Sequence, residues 1–480
     1  MDAKQLQSER IGLFRRAARF EPVDRLPYFS SAVTWKVFHA GYTLDEAMTD
    51  YGVMEKCVRA FLDAYPVDGL LDYGIRNQFG VTETLGPGSY YYYTPEAIAI
   101  RDHSHCTPET LKDFLADPVR YTWETVLPAK YGEAWGTFGR ETWKRAFKAY
   151  MDYTAFIIKI GSAVKKDYGV PSMAPNNPMK GAISFGVEEL LANLLGIKQL
   201  SIAMRRNKEE VESFVRAWDE SHIDPIVETV KKGGKPDESY CFDASVMMLA
   251  QNVLNPKQFE ALYWPSLEKL LDAYAEKGMN VRIFAEGSIL RYAEYFRKYP
   301  KGTLTFHIEA DDPFAFREAL PNAAIMGGLT TDLLANGTPE DCVRRCEELT
   351  RGLDAKNGGF IFSENKMLSY ANDVKPENLS AVVEYITGRP CKADVTGLAA
   401  AKEKIAAKNA AEMENGGKSQ TADGVANGPG RPLNASQSDE NPYIGYPEGY
   451  KRFSREIVPF YLKPMERTLL PLFLQILRDG

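Results

Sequence analysis

Glu286 and His307 have twenty residues between them, and they stand at the ends of two short apolar runs, VRIFAE (281–286) and LTFHIE (304–309). Similar runs place Asp243 at the end of SYCFDA (239–244), Gly327 and Gly328 in AAIMGGL (323–329), and Glu364 at the end of GFIFSE (359–364). Neighbouring strands lie about 4.8 Å apart, so Glu286 and His307 on adjacent strand ends can reach one metal ion. Asp243 or Glu364 is then the candidate third arm. Three O/N ligands with an open position are the pattern of a catalytic zinc site. A plain hydrogen-bond network among buried polar groups is the alternative. Asp243 and Glu364 are also the candidate catalytic carboxylates. Phe284, Arg76 and the Gly327-Gly328 pair are expected to face substrate, since glycine lets the backbone approach a ligand or turn tightly. Tyr90 to Tyr93 form either a wall for an aromatic ligand or an amphipathic edge strand. In RDHSHC (101–106), His103, His105 and Cys106 lack a fourth ligand nearby, and His39 and His222 fall in helical patterns.

The elements that must position these residues alternate. Eight strand-like runs, from RLPYFS (25–30) to GFIFSE (359–364), are separated in most cases by helical patterns such as NPKQFEALYWPSLEKLLDAYAEKG and TPEDCVRRCEELTRGLDA. Short apolar strands alternating with capped helices predict a parallel sheet, and eight of them predict an α/β fold of the (β/α)8 TIM barrel type. Functional groups then belong at the C-terminal strand ends. Residues 1–395 are expected to form the barrel, with an aromatic helical insertion at about 87–175. Residues 396–440 read as a flexible linker, rich in Ala, Gly, Asn and Ser. The apolar tail 441–480 is expected to dock, on its own barrel or on a second subunit.

Composition narrows the function classes. The chain has 480 residues, a net charge of −7 with interspersed signs, and six cysteines without CxxC spacing. No basic stripe points to nucleic acid. No apolar run reaches the roughly 20 residues of a membrane span, and the charged N-terminus lacks a signal-peptide core. A cytoplasmic protein with reduced thiols is expected. Nucleotide loops of the GxGxxG or GxxxxGK[ST] kind are absent from the sequence.

Several segments resemble the uroporphyrinogen decarboxylase superfamily: RRAARFEPVDRLPYF (15–29), FDASVMMLAQNVLNPKQFEALYWPSLEKLLDAY, GGLTTDLLANGTPEDC and KPENLSAVVEYITG. The resemblance covers roughly 10–390 in patches and implies a (β/α)8 barrel. The RQAGR motif of true decarboxylases has RRAAR (15–19) near its place, without the Gln and Gly, which argues against a porphyrinogen substrate. Thiol-directed corrinoid methyltransferases hold zinc through His-x-Cys and a later Cys. Those places look occupied here by Phe284-Ala285-Glu286 and Glu364-Asn365. The O-demethylase methyltransferases resemble the chain better. Their zinc motif is a Glu, a second Glu after fourteen residues and a His after twenty more. Glu286 and His307 match its latter half, whereas the first Glu falls on Leu271, beside Asp272 and near Glu268.

The resemblance implies cleavage of a methyl ether, of a methoxylated aromatic compound, with the methyl group passed to a corrinoid (cobalamin) on a partner protein and Zn2+ activating the ether oxygen. Trp135, Trp143, Tyr150 and Tyr153, with Tyr91 and Tyr93, are the expected lid around the arene. A homodimer is a further expectation, from the apolar tail. The alternative within the same fold is a metal-independent decarboxylase or lyase using Asp243 and Arg76 or Arg282. A non-catalytic binding descendant is the third reading.

Overall fold

The computed structural model describes residues 2–73, 79–86, 91–100, 104–175, 183–414, 441–462 and 466–479. Nine strands form among these residues: β1 (Tyr28–Ser30), β2 (Gly69–Leu70), β3 (Tyr91–Tyr93), β4 (Ile98–Ile100), β5 (Ala244–Met248), β6 (Val281–Ala285), β7 (Leu304–Ile308), β8 (Ala324–Leu329) and β9 (Phe360–Glu364). Seven join in one parallel sheet, in the order β2-β1-β9-β8-β7-β6-β5. The first of these strands in the chain thus pairs with the last, Phe29 beside Ser363. That neighbour relation is what curling a β/α series into a barrel produces. Beyond β5, Ile183 makes a parallel bridge to Val246 and occupies an eighth position. Of the eight expected strands, seven join in this curled sheet and one is a bridged segment, and no pairing joins β2 to Ile183 among the described residues. Residues 176–182, which lead into that segment, lie outside the described residues.

Strands β6 to β9 are buried at every position, as parallel strands are when helices cover one face and side chains fill the other. The helices between them start where the caps predict. Asp312 accepts from Phe314 N and Ala315 N, both at 3.0 Å, ahead of Pro313–Ala319. Thr338 and Asp341 form a capping box at Pro339–Gly352. Cys342 and Cys346 are buried thiols on that helix. No helix among the described residues is long and apolar enough to cross a membrane.

One strand boundary moves, with consequences for the chemistry. The run expected at 239–244 is strand only from Ala244, so Asp243 precedes β5 instead of ending it. Its carboxylate accepts from Asp237 N at 2.9 Å and Asn280 N at 2.8 Å, closing the turn into the strand. The apolar residues that follow carry the ladder with β6.

Trp135, Trp143, Tyr150 and Tyr153, expected in the lid, are core. Trp123, Trp135, Trp143, Phe147 and Tyr150 form a second buried cluster with Tyr443, Phe453, Ile457, Phe473 and Leu477 of the tail. Trp143 meets Phe453 edge-on at 5.0 Å, and Phe147 meets Phe473 at 4.5 Å. Trp123 Nε1 donates to Tyr443 O at 3.0 Å, and Lys130 Nζ to Leu477 O at 3.0 Å. Large rings bury the most apolar area per residue, so the tail docks on its own chain's insertion. Tyr153 joins the main core.

The linker expected from residue 396 is helical up to 414, in Val395–Glu414. Leu398, Ala401 and Ile405 share one face and are buried, packed on the helix Trp35–His39. A Cβ at Gly397 would lie 2.1 Å from His39 O, so the close approach requires glycine. Lys404 Nζ also donates to Gly41 O at 2.9 Å. An alanine-rich composition that resembles a linker is equally a good helix, and the small face decides between them. Residues 415–440 lie outside the described residues. Ile405→Ala is expected to cost about 2 kcal/mol, measured as faster proteolysis within Val395–Glu414 and an otherwise unchanged digest.

Candidate active site

Period-two alternation points Ser245, Arg282, Phe284, Thr305, His307 and Ser363 to the inner face of the curled sheet. The hydrogen bonds confirm this facing. Arg282 Nη1 donates to Ser245 Oγ at 3.2 Å, and Arg282 Nη2 donates to His307 Nδ1 at 2.6 Å. His307 Nε2 lies 2.8 Å from Glu364 O and 3.4 Å from Ser363 Oγ. Ser363 Oγ in turn is 3.1 Å from Ser31 Oγ. Phe284 stands edge-on to His307 at 5.2 Å. The Arg282 guanidinium lies 5.9 Å from the Phe29 ring centroid and 5.8 Å from that of Phe284.

Guanidinium only donates, so His307 Nδ1 must accept and Nε2 must carry the proton given to Glu364 O. The ring is a neutral imidazole of fixed tautomer. Burial above all, then the Arg282 charge, lowers its pKa from 6.5 to about 3. A neutral buried histidine makes a stability contribution that is complete above the unfolded pKa and is lost as the pH falls from there toward 3. Linkage gives a loss of about 1.4 kcal/mol from this group at about pH 5.5. Urea unfolding at about pH 7.5 and about pH 5.5 is expected to show this loss in the native sequence and to lack it in His307→Gln, which cannot titrate.

Arg282 is 2 % exposed, and among the described residues it pairs with no carboxylate. Its Nε has no partner among the described residues. Burial lowers its pKa to about 9.

Above this layer the β6–β7 register continues to Glu286 and Glu309 at neighbouring strand ends. The Glu286 backbone is gripped on both sides: its N donates to Met248 O at 3.0 Å, and its O accepts from Gln251 Nε2 at 2.6 Å and Asn252 Nδ2 at 2.7 Å. Gly287 then turns with φ +69°, and a Cβ there would lie 2.4 Å from Asn252 Oδ1, so only glycine fits. The Glu286 side chain is exposed. Glu309 is half-buried; Oε2 accepts from Gly287 N at 2.5 Å, and Oε1 faces Lys366 Nζ at 3.4 Å. Asn365 Nδ2 donates to Glu309 O at 3.1 Å, joining the ends of β7 and β9.

The structure distributes the other expected site residues elsewhere. Asp243 sits at the N-terminal ends of β5 and β6, in an ion pair with Arg15 at 2.9 Å, the whole strand length away from Glu286. This pair also places RRAAR at the opposite rim from the mouth, in the last turn of the helix Ala3–Ala18 with Arg19 as its C-cap. Glu364 alternates with the inward Ser363 and so faces the helix layer, fully buried, accepting from Tyr28 Oη and from Ser31 N at 2.7 Å. Burial raises its pKa, against the pull of these donors and of Lys36. Gly327 and Gly328 have φ of +138° and +96°, but a Cβ on either would meet protein: Asn365 Oδ1 at 3.1 Å, and Leu349 Cδ1 at 2.8 Å. Packing alone explains both. Tyr91 and Tyr93 lie in β3, paired antiparallel with β4, and the structure describes only their backbone. Arg76 lies outside the described residues.

A zinc ion does not fit the expected triad. Asp243 is at the wrong end, and both His307 nitrogens are engaged within the protein. Among the described residues, no three His, Cys, Asp or Glu side chains gather closely enough to hold a metal ion.

Three functional-looking groups escaped the sequence reading. Glu309 shares a face with His307 by simple alternation, a signal present in LTFHIE itself. Lys36 is fully buried, donating to Ala32 O and to Asp72 O at 2.9 Å; burial lowers its pKa to about 8. Glu188 accepts from Phe185 N at 3.0 Å and Tyr263 Oη at 2.5 Å, and burial raises its pKa to about 7. Only the fold brings Lys36 to Asp72 O and Glu188 to Tyr263.

With this geometry in hand, residues 183–388 match the family model described as uroporphyrinogen decarboxylase (URO-D). That segment belongs to the uroporphyrinogen decarboxylase superfamily. It begins at the bridged position Ile183 and runs through β5 to β9 to the helix Pro376–Thr387, so the uroporphyrinogen decarboxylase segment holds Arg282, Glu286, His307, Glu309 and Glu364. No curated protein sequence matches the chain. Among solved structures it is similar to a methyltransferase from Methanosarcina mazei, with 13% identity over 81% of this chain and 99% of that one, at a TM-score of 0.47. That likeness is too distant for anything of that protein to be carried over.

Proposed function

We propose that the chain is a cytoplasmic methyltransferase on a closed (β/α)8 barrel. It takes the methyl group of an aromatic methyl ether and passes it to a corrinoid carried by a partner protein. Two things support the reading. The segments that resemble the uroporphyrinogen decarboxylase superfamily fall largely within the family-matched residues, as do Glu286 and His307, the two positions that resemble the methyltransferase zinc motif. The observation that carries the chemistry is the Glu309–Lys366 pair at the end of β7 and just past β9.

An aryl ether resists displacement because its oxygen leaves with a negative charge. In the step proposed, the acceptor's nucleophile bonds to the methyl carbon, the C–O bond breaks, and its electron pair stays on oxygen. The Lys366 ammonium gives that oxygen a proton, so a phenol leaves. Glu309 holds Lys366 in place, and the amine left after the transfer regains its proton from solvent, to which Lys366 is open. Phe284 offers an apolar edge for the arene. Incubation with cob(I)alamin and methoxylated aromatics, followed spectroscopically for methylcobalamin, tests the reading.

A metal-independent decarboxylase is the second reading, and Arg282 favours it. A buried guanidinium without a carboxylate is the group that would neutralise a substrate carboxylate in the bore. Release of CO2 from aromatic carboxylates, without methyl transfer, would establish it instead.

A further inference from the structure

At the N-terminal rim, opposite the mouth, three arginines converge on Asp68. Arg25 Nη1 reaches it at 2.7 Å, Arg10 Nε at 3.3 Å, and Arg389 Nη1 at 3.6 Å. Glu9 is the second carboxylate of the group, 3.5 Å from Arg25 and 3.8 Å from Arg389. Three cations therefore face two carboxylates. The side chain of Arg10 is only 3% exposed. Its Nη1 donates to Tyr168 O at 2.6 Å, and its Nη2 donates to nothing among the described residues. Beside this cluster lies a cavity of about 360 Å³, lined by Arg10, Arg389 and Tyr168 and by the apolar Leu6, Val67 and Val170. That volume lies within the range of small-molecule sites, which are largely apolar with a few fixed polar groups.

We infer that this cavity binds a small amphiphilic carboxylate, with its carboxylate on Arg10 and Arg389 and its apolar body against Leu6, Val67 and Val170. The surplus is a single positive charge, so a monoanion neutralises the cluster and a phosphate dianion overshoots it. Planar guanidiniums match a carboxylate in shape as well as charge. Burial pushes Arg10 down to about 10, with the Arg389 and Arg25 charges acting against the attraction of Asp68. An added anion relieves that repulsion. Because the site joins the helices Ala3–Ala18, Tyr51–Ala64 and Arg140–Tyr168 to the chain after Pro376–Thr387, occupancy also stabilises the fold.

Isothermal titration of the full chain with 2-naphthoate, and with the uncharged 2-naphthalenemethanol, tests the inference. Naphthoate is expected to bind one to one and the alcohol at least about tenfold more weakly. Arg389→Gln, at a half-buried position, is expected to weaken naphthoate about tenfold. Leu6→Trp, at a half-buried position on the cavity wall, is expected to plug the site. Equal binding of the two probes, binding unaffected by both substitutions, or no binding of naphthoate at millimolar concentration each overturns the inference. None of these outcomes depends on the activity proposed at the mouth.

Discussion

Asp243→Ala will lower the free energy of unfolding by roughly 3–5 kcal/mol while leaving turnover per folded molecule within about twofold of the native value. The carboxylate is buried and accepts from Arg15 Nη2, Asp237 N and Asn280 N at 2.8–2.9 Å. Removing it leaves the buried Arg15 guanidinium with only the carbonyls of Asp237 and Tyr240, each at 3.0 Å, and leaves two amides unpaired. An uncompensated buried charge is among the costliest single changes a fold can suffer. A metal ligand or catalytic carboxylate would behave in the opposite way, with turnover collapsing and stability nearly unchanged. Urea unfolding followed by tryptophan fluorescence, with activity normalised to the folded fraction, separates the two.

Glu309→Gln and Lys366→Gln are each expected to lower methyl transfer about 100-fold. Lys366 is largely exposed and Glu309 half-buried, and glutamine at 309 can still accept from Gly287 N, so stability should change by less than about 1 kcal/mol. The pair acts as one unit, the carboxylate placing the ammonium and the ammonium giving the proton. The double variant should therefore lose little more than either single one. Independent, multiplying losses would show that the two groups do not cooperate.

The legible part of this fold was its series. Short apolar runs, caps at Asp312 and Thr338, and the positions of β6, β7 and β9 follow from local patterns. The errors have physical causes. Asp243 was placed at the end of its strand because Tyr240 to Phe242 look like strand residues, yet the carboxylate is used to close the turn before β5. His307 looked like a ligand because imidazoles at strand ends can be; its partners Arg282 and Glu364 O come from other strands and are invisible in one sequence. Trp135 and Trp143 resemble a lid in the sequence because their partners lie some 300 residues further on, in the tail. Glu309 was within reach, two residues after His307 on the same face.

The most direct measurement mixes the purified chain with cob(I)alamin and a panel of methoxylated aromatics, some bearing carboxylates, and follows the corrinoid spectrum together with the released phenol and CO2. Methylcobalamin and phenol are expected in equal amounts from at least one aryl methyl ether, without added metal, and no CO2. Absence of methyl transfer across the panel, with CO2 released from an aromatic carboxylate, would contradict that expectation and turn the barrel mouth over to decarboxylation.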